Sequence, residues 1–100
     1  MMNDKELLEL AAKAAGVKAL WSPDGVLRDC TNGHPAQNIY SAPPWNPLIY
    51  DGDALRLAIK LDIDVAKAQI KFWEKHSSIN PYAATRRAIV RAAAEIGKGE

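Results

Sequence analysis

The run NPYAATRRAIVRAAAEIG, residues 80–97, constrains the fold more than any other stretch of the chain. Asn80 carries a side-chain oxygen suited to capping a helix. Pro81 fits the first helical position, where its missing N–H has no intrahelical partner to lose, and Gly97 is the residue type that ends helices. The pattern predicts a helix over 81–96. At 100° per residue, Tyr82, Thr85, Ile89, Ala92, Ala93 and Ile96 gather on one side, Arg87 and Arg91 lie opposite, and Arg86 sits on the border. An apolar side so rich in alanine lets a backbone lie close against a sheet or another helix.

The other elements follow from the same signals. Asn3 and Glu6 are spaced as a capping box, and Leu7, Leu10, Ala11 and Ala14 recur at helical spacing before Gly16, which predicts a helix over 4–15. In VKALWSPDGVLRD two short apolar runs flank Ser22-Pro23-Asp24-Gly25, a turn sequence, so the segment reads as a hairpin. Thr31-Asn32-Gly33-His34 is a second turn signal, and residues 37–41 can return as a third strand, with Pro43 and Pro44 ending any pairing soon after. In WNPLIYDGDALRLAIKL, Asp51 stands where an N-cap belongs and Asp53 where the helix dipole favours an anion. Leu55, Ala58, Ile59 and Leu61 form the apolar stripe of a helix over 52–61. Capping accounts for both carboxylates, and the later oxygen donors of a calcium loop are missing. Residues 62–76 are ambiguous: Ile63 and Val65 share one strand parity, Ile70 and Phe72 the other, which calls for a bulge or turn near 66–69. A helix from about 66 to 75, with Ala66, Ile70 and Trp73 at i, i+4 and i+7, is the rival. Strands are the reading taken.

These elements make the expected fold α+β: a single domain, 1–100, with a small antiparallel sheet (the N-terminal hairpin plus strands near 63–75) packed with three helices. One hundred residues, 48% apolar and 25% charged, suit one modest core and leave no room for a second domain. Cys30 is the single cysteine, so neither an intrachain disulfide nor a four-cysteine zinc site is possible, and a reducing cytoplasm is the expected setting. MMNDKELLEL lacks the pattern of a signal peptide, and no run approaches the roughly 20 apolar residues of a membrane span. Charge is uneven. Residues 1–66 hold six Lys/Arg against nine Asp/Glu, residues 67–99 seven against two, within a total of +1. A near-neutral total argues against unspecific nucleic-acid binding, which rests on many phosphate contacts.

Candidate chemistry is sparse. Cys30 and His34 flank a turn but are too few for a zinc site, and His76 has no defined partner in the sequence. No phosphate-loop, nucleophile-elbow, dinucleotide or zinc-protease motif occurs, and no acid–base pair follows from spacing, so the expectation is a non-enzymatic protein with no cofactor. The sharpest polar feature is Arg86, Arg87 and Arg91, whose guanidinium forks can grip a phosphate or an acidic surface. Trp45 and Trp73 are candidate interface anchors. The plainer reading pairs Arg91 with Glu95 and leaves Arg87 solvated.

At WNPL…DGDALRLAIKL and ATRRAIVRAAAEIG, about a third of the chain, the sequence resembles a group of small phage and prophage proteins and, more loosely, the phage ABA-sandwich domain family. It departs from that group between the two blocks, where the family places a longer strand-rich segment. The resemblance implies a compact α+β layer, encoded by a phage or prophage and acting in the cytoplasm of a bacterial host cell. Together with the small size and the lack of a catalytic constellation, it leads to the expectation of a partner-binding protein, most simply a stoichiometric inhibitor of a bacterial defence complex or other host protein, with the residues singled out above, Arg86, Arg87, Arg91, Trp45 and Trp73, as the contact surface. Two alternatives stand beside it. One is a sponge for a nucleotide signal, with arginine for phosphate and Trp45 or Tyr40 for base stacking, for which a homo-oligomer with pockets between protomers is the usual setting. The other is a nucleic-acid-binding phage regulator.

Overall fold

The alanine face of the last helix is used by helices more than by a sheet. The computed structural model describes residues 3–31, 36–72 and 80–99, in the order α1 (Asp4–Ala15), β1 (Ala19–Trp21), β2 (Leu27–Asp29), a 3-10 helix (Ala36–Ser41), α2 (Asp51–Lys60), α3 (Val65–Phe72) and α4 (Pro81–Lys98). α4 is the central post, packed against α1, α2 and α3. Ala88, Ile89, Val90, Ala93, Ala94 and Gly97 are buried on it, while Tyr82 and Ile96, expected on the apolar side, are exposed. A helix covered on several sides buries a wider arc than a single stripe describes.

The termini of α1 and α4 follow the signals read from the sequence, with one reassignment. Asn3 Oδ1 accepts from Glu6 N, the first half of a capping box, while the Glu6 carboxylate accepts from the Asn3 side-chain Nδ2 in place of the backbone N–H, and Gly16 adopts φ 70° at the C-cap. Asn80 Oδ1 likewise accepts from Ala83 N at the start of α4. Gly97, expected to stop α4, lies inside it instead, and Gly99 is the C-cap. A Cβ at position 97 would fall 2.2 Å from the Leu10 carbonyl oxygen, so glycine is there to let the backbones of α1 and α4 meet.

The hairpin forms as expected, with Ala19 opposite Asp29 and Trp21 opposite Leu27, and Gly25 taking φ 83° in the turn. Ser22 N donates to Val26 O and Gly25 N to Ser22 O, and the buried Ser22 hydroxyl contacts Asp24 and accepts from Arg28 Nε. No strand returns over 37–41, where the 3-10 helix stands. The third edge comes later, from the Pro43-Pro44-Trp45 segment that was expected to end pairing: Asp29 N donates to Pro43 O, Trp45 N donates to Leu27 O, and Pro44 bridges Arg28. Proline lacks a donor but keeps its carbonyl, so it can accept along an edge. The turn expected at 31–34 lies outside the described residues beyond Thr31.

The α+β class stands, with four α-helices and a two-stranded antiparallel sheet among the described residues. The strands expected near 63–75 are corrected: residues 65–72 are α3. Asp64 caps it, its carboxylate accepting from Lys67 N and its carbonyl from Ala68 N. Ahead of it, Asp62 takes a left-handed φ of 53° and Ile63 N returns to Ala58 O, reversing the chain after α2. The parity conflict disappears because Val65, Ile70 and Phe72 all lie in this helix, and residues 73–75 are outside the described residues. The face turned inward is Ala68 with the half-buried Val65, Gln69 and Phe72, and Ile70 points to solvent. The core joins Leu7, Leu8 and Ala11 of α1, Leu27, Trp45, Ala54 and Leu57, and the buried face of α4.

Candidate functional site

The segment from Trp45 to Lys60 carries most of the unusual chemistry. Asn46 makes an Asx turn, its Oδ1 accepting from Leu48 N at 3.0 Å, while its backbone carbonyl accepts from Ile49 N and Tyr50 N. The N-cap of α2 is Tyr50, which makes no side-chain cap, so Asp51 is one residue inside the position expected for it. Asp53 does different work: nearly buried, it accepts from Asn46 N at 2.9 Å and from Arg56 Nη2 at 2.6 Å. Charge-assisted hydrogen bonds of this kind fix the loop onto the first turn of the helix.

α2 separates two concavities. On one side is a cavity of about 400 Å³, whose lining includes Pro43 and Trp45 from the loop, Asp29 from β2, and Arg56, Leu57 and Lys60 from α2. On the other, between α2 and the N-terminal half of α4, is a groove of about 270 Å³ lined by Leu55, Val65, Tyr82, Arg86 and Ile89 among others. The stripe expected to pack α2 inward is only partly the buried one. Ala54, Leu57 and Ala58 face the core, whereas Leu55 is 60% and Ile59 70% exposed, and Tyr82 across the groove is 71% exposed. α2 is thus apolar on two faces, of which the fold covers one.

The arginines expected to face a partner have intramolecular partners. Arg86 Nε donates to the Leu48 carbonyl at 2.9 Å and its Nη1 to Asp51 at 2.6 Å, so it clamps the loop and the start of α2 to α4. Arg87 Nη1 donates to Asp4 at 2.8 Å, tying α4 to the first turn of α1. Arg91 is half-buried and also engaged within the protein. Trp45 is 7% exposed and belongs to the core while lining the larger cavity; Trp73 lies outside the described residues. Tyr40, the other stacking candidate, is covered on one side by the Arg28 guanidinium, 5.4 Å from the ring centroid. Cys30 is buried, its Sγ 3.8 Å from the Arg28 carbonyl, and His34 and His76 lie outside the described residues. Among the described residues no group of three or more His, Cys, Asp and Glu side chains could hold a metal ion, and no helix is long and apolar enough to cross a membrane.

No protein-family model, curated protein or solved structure matches the chain. The functional reading therefore rests on geometry. Sequence reasoning missed Leu55 and Ile59 as surface residues and Arg56 and Lys60 as cavity residues. A signal for the second pair was present: like charges four apart on one helix face repel, by about 0.2–0.5 kcal/mol, and stability alone does not favour them.

Proposed function

We propose that this chain is a non-enzymatic binding protein whose working surface is the apolar face formed by Leu55, Ile59 and Tyr82, and that it acts as a phage or prophage accessory protein inhibiting a bacterial host protein stoichiometrically. The observation that carries the binding reading is the exposure of Leu55 and Tyr82, which line one groove, together with that of Ile59, one turn along α2 from Leu55. Contiguous apolar surface on a small monomer marks an interaction site, and fully burying a Leu or Ile contributes about 1.5–3 kcal/mol. The phage setting draws on the resemblance at DGDALRLAIKL and ATRRAIVRAAAEIG. The partner that fits is a helix presenting its own apolar face, since a groove between two helices accepts spaced apolar anchors. With Arg86 and Arg87 engaged in the fold, the contact surface shifts from the arginines to this face.

The test compares the wild-type chain, immobilised against lysate of a bacterial host, with Leu55→Asp/Ile59→Asp. The reading expects one host protein retained at near-equimolar ratio by the wild type and lost from the double variant, with both proteins melting at the same temperature. Equal retention by both, or no stoichiometric retention by the wild type, removes the docking face from the account. Concentration-dependent self-association of the wild type that the double variant abolishes identifies the occupant as a second copy and overturns the inhibitor reading.

A further inference from the structure

We infer that the cavity on the opposite side of α2 is a binding site for a small, flat, largely apolar molecule carrying one anionic group, a carboxylate or a phosphate. Its volume, about 400 Å³, lies in the range of small-molecule pockets. The body of the ligand would lie among Pro43, Pro44, Trp45, Val17 and Leu57. The anionic end is set by α2. Arg56 and Lys60, four residues apart, both line the cavity; the Arg56 side chain is 75% exposed and its one hydrogen bond, from Nη2 to Asp53, leaves the rest of the guanidinium fork for an oxyanion. Lys60 has no hydrogen bond or ion pair among the described residues.

The acidic groups in the lining already have donors. Asp53 is held by Asn46 N and Arg56, and Asp29 Oδ1 accepts from Thr31 N at 2.9 Å. Asp29 belongs to the hairpin wall, so an incoming anion is directed to the α2 side. Trp45 offers a further donor. The Trp45 indole N–H has no acceptor among the described residues, yet no enclosed side-chain nitrogen there lacks a partner, so this N–H opens onto accessible space. Trp45 is a lining residue of this cavity, and the proposal takes its N–H as a donor to the anion. An N–H donor added to two cations suits an anion better than a neutral or cationic group. This inference is independent of the apolar docking face, which uses other side chains of α2.

The probes are 2-naphthoate, 2-naphthyl phosphate and the neutral 2-naphthamide, titrated into the 15N-labelled full chain and followed by amide and indole N–H resonances. The expected result is a saturable shift of the Trp45 indole N–H and of residues 56–60 with one or both anions. Which anion binds tighter names the group the site is built for. The amide should bind at least about tenfold more weakly, as should either anion to Arg56→Gln/Lys60→Gln. Trp45→Phe, which keeps the ring and removes the donor, should weaken binding severalfold even if the double variant is perturbed. No saturable shift with either anion, or equal binding of amide and anions, overturns the proposal.

Discussion

Gly97→Ala tests whether the backbone contact between α1 and α4 is what holds the bundle together. An ideal Cβ at that position lies 2.2 Å from Leu10 O, 3.0 Å from Leu10 C and 3.3 Å from Leu10 Cα. All three are backbone atoms of a helix, so no rotamer change relieves the clash. The two helices must separate by roughly 1 Å, loosening the buried Ala11, Ala15, Ala93 and Ala94 beside them. Overpacking of a tight core costs about 1–3 kcal/mol, and separation on this scale belongs at the upper end. Alanine's better helix propensity returns about 1 kcal/mol. The expected net destabilisation is therefore about 2 kcal/mol.

For a domain of this size that is a fall in Tm of roughly 8–16 °C, measured by circular dichroism at 222 nm. Gly99→Ala is the control: its new Cβ meets Ile96 O at 3.5 Å, an ordinary contact, and φ at Gly99 is −79°, so stability should hold or rise slightly. A Gly97→Ala protein as stable as the wild type would refute the close-approach argument and return Gly97 to the role of a simple helix stop.

Three further outcomes follow from the contacts. Arg86→Ala should cost about 1–3 kcal/mol in urea unfolding, because it leaves the Leu48 carbonyl without its donor, whereas Asp51→Ala, on the exposed side of the pair, should cost at most about 1 kcal/mol; equal costs would mean that the ion pair rather than the carbonyl contact matters. Asp53→Ala should destabilise by a similar 1–3 kcal/mol and speed hydrogen exchange at the Asn46 amide, and unchanged exchange there would show that the loop is held by other groups. Asp24 is held below its ordinary pKa, first by the Ser22 hydroxyl and then by the Val26 backbone and Arg28. A carboxylate lowered by folding adds stability above its unfolded pKa and loses it as pH falls through the folded value, so the acid limb below about pH 4 should flatten in Asp24→Asn, measured as Tm against pH.

What the sequence made legible were features written locally. The Asn3 cap of α1, the Asn80-Pro81 start and the Ser22-Pro23-Asp24-Gly25 turn each complete their signal within a few residues, and each forms as read. α3 was misread because its inward face offers one fully buried side chain, Ala68, so its periodicity was too faint to outweigh the β-rich pattern of LDIDV. Gly97 was read as a stop because a terminator and a close-packing site call for the same residue, and only the distance to Leu10 separates them. The arginines' partners within the fold were hidden for a different reason. Arg86 meets Asp51 across 35 positions and Arg87 meets Asp4 across 83, partners that no spacing rule near the arginines could supply. The cavity was equally hidden, since its walls come from α1, β2, the proline segment and α2.

The placement of α2 links the two proposed binding surfaces. At its start, Asp53 grips the Asn46 amide while Arg86 grips Leu48 and Asp51; at its end, Ile63 returns its N–H to Ala58 and Leu61 to Leu57. A helix of 10 residues is marginal in isolation, so this one depends on those fastenings and on its buried Ala54, Leu57 and Ala58 to stay formed. Fastened at both ends, it holds Leu55 and Ile59 on one side and Arg56 and Lys60 on the other in fixed relative positions, which lowers the ordering cost that any partner must overcome. Arg86 thereby acquires a part in the proposed binding without touching a ligand. Its guanidinium, spent inside the fold, keeps the surface of α2 in place.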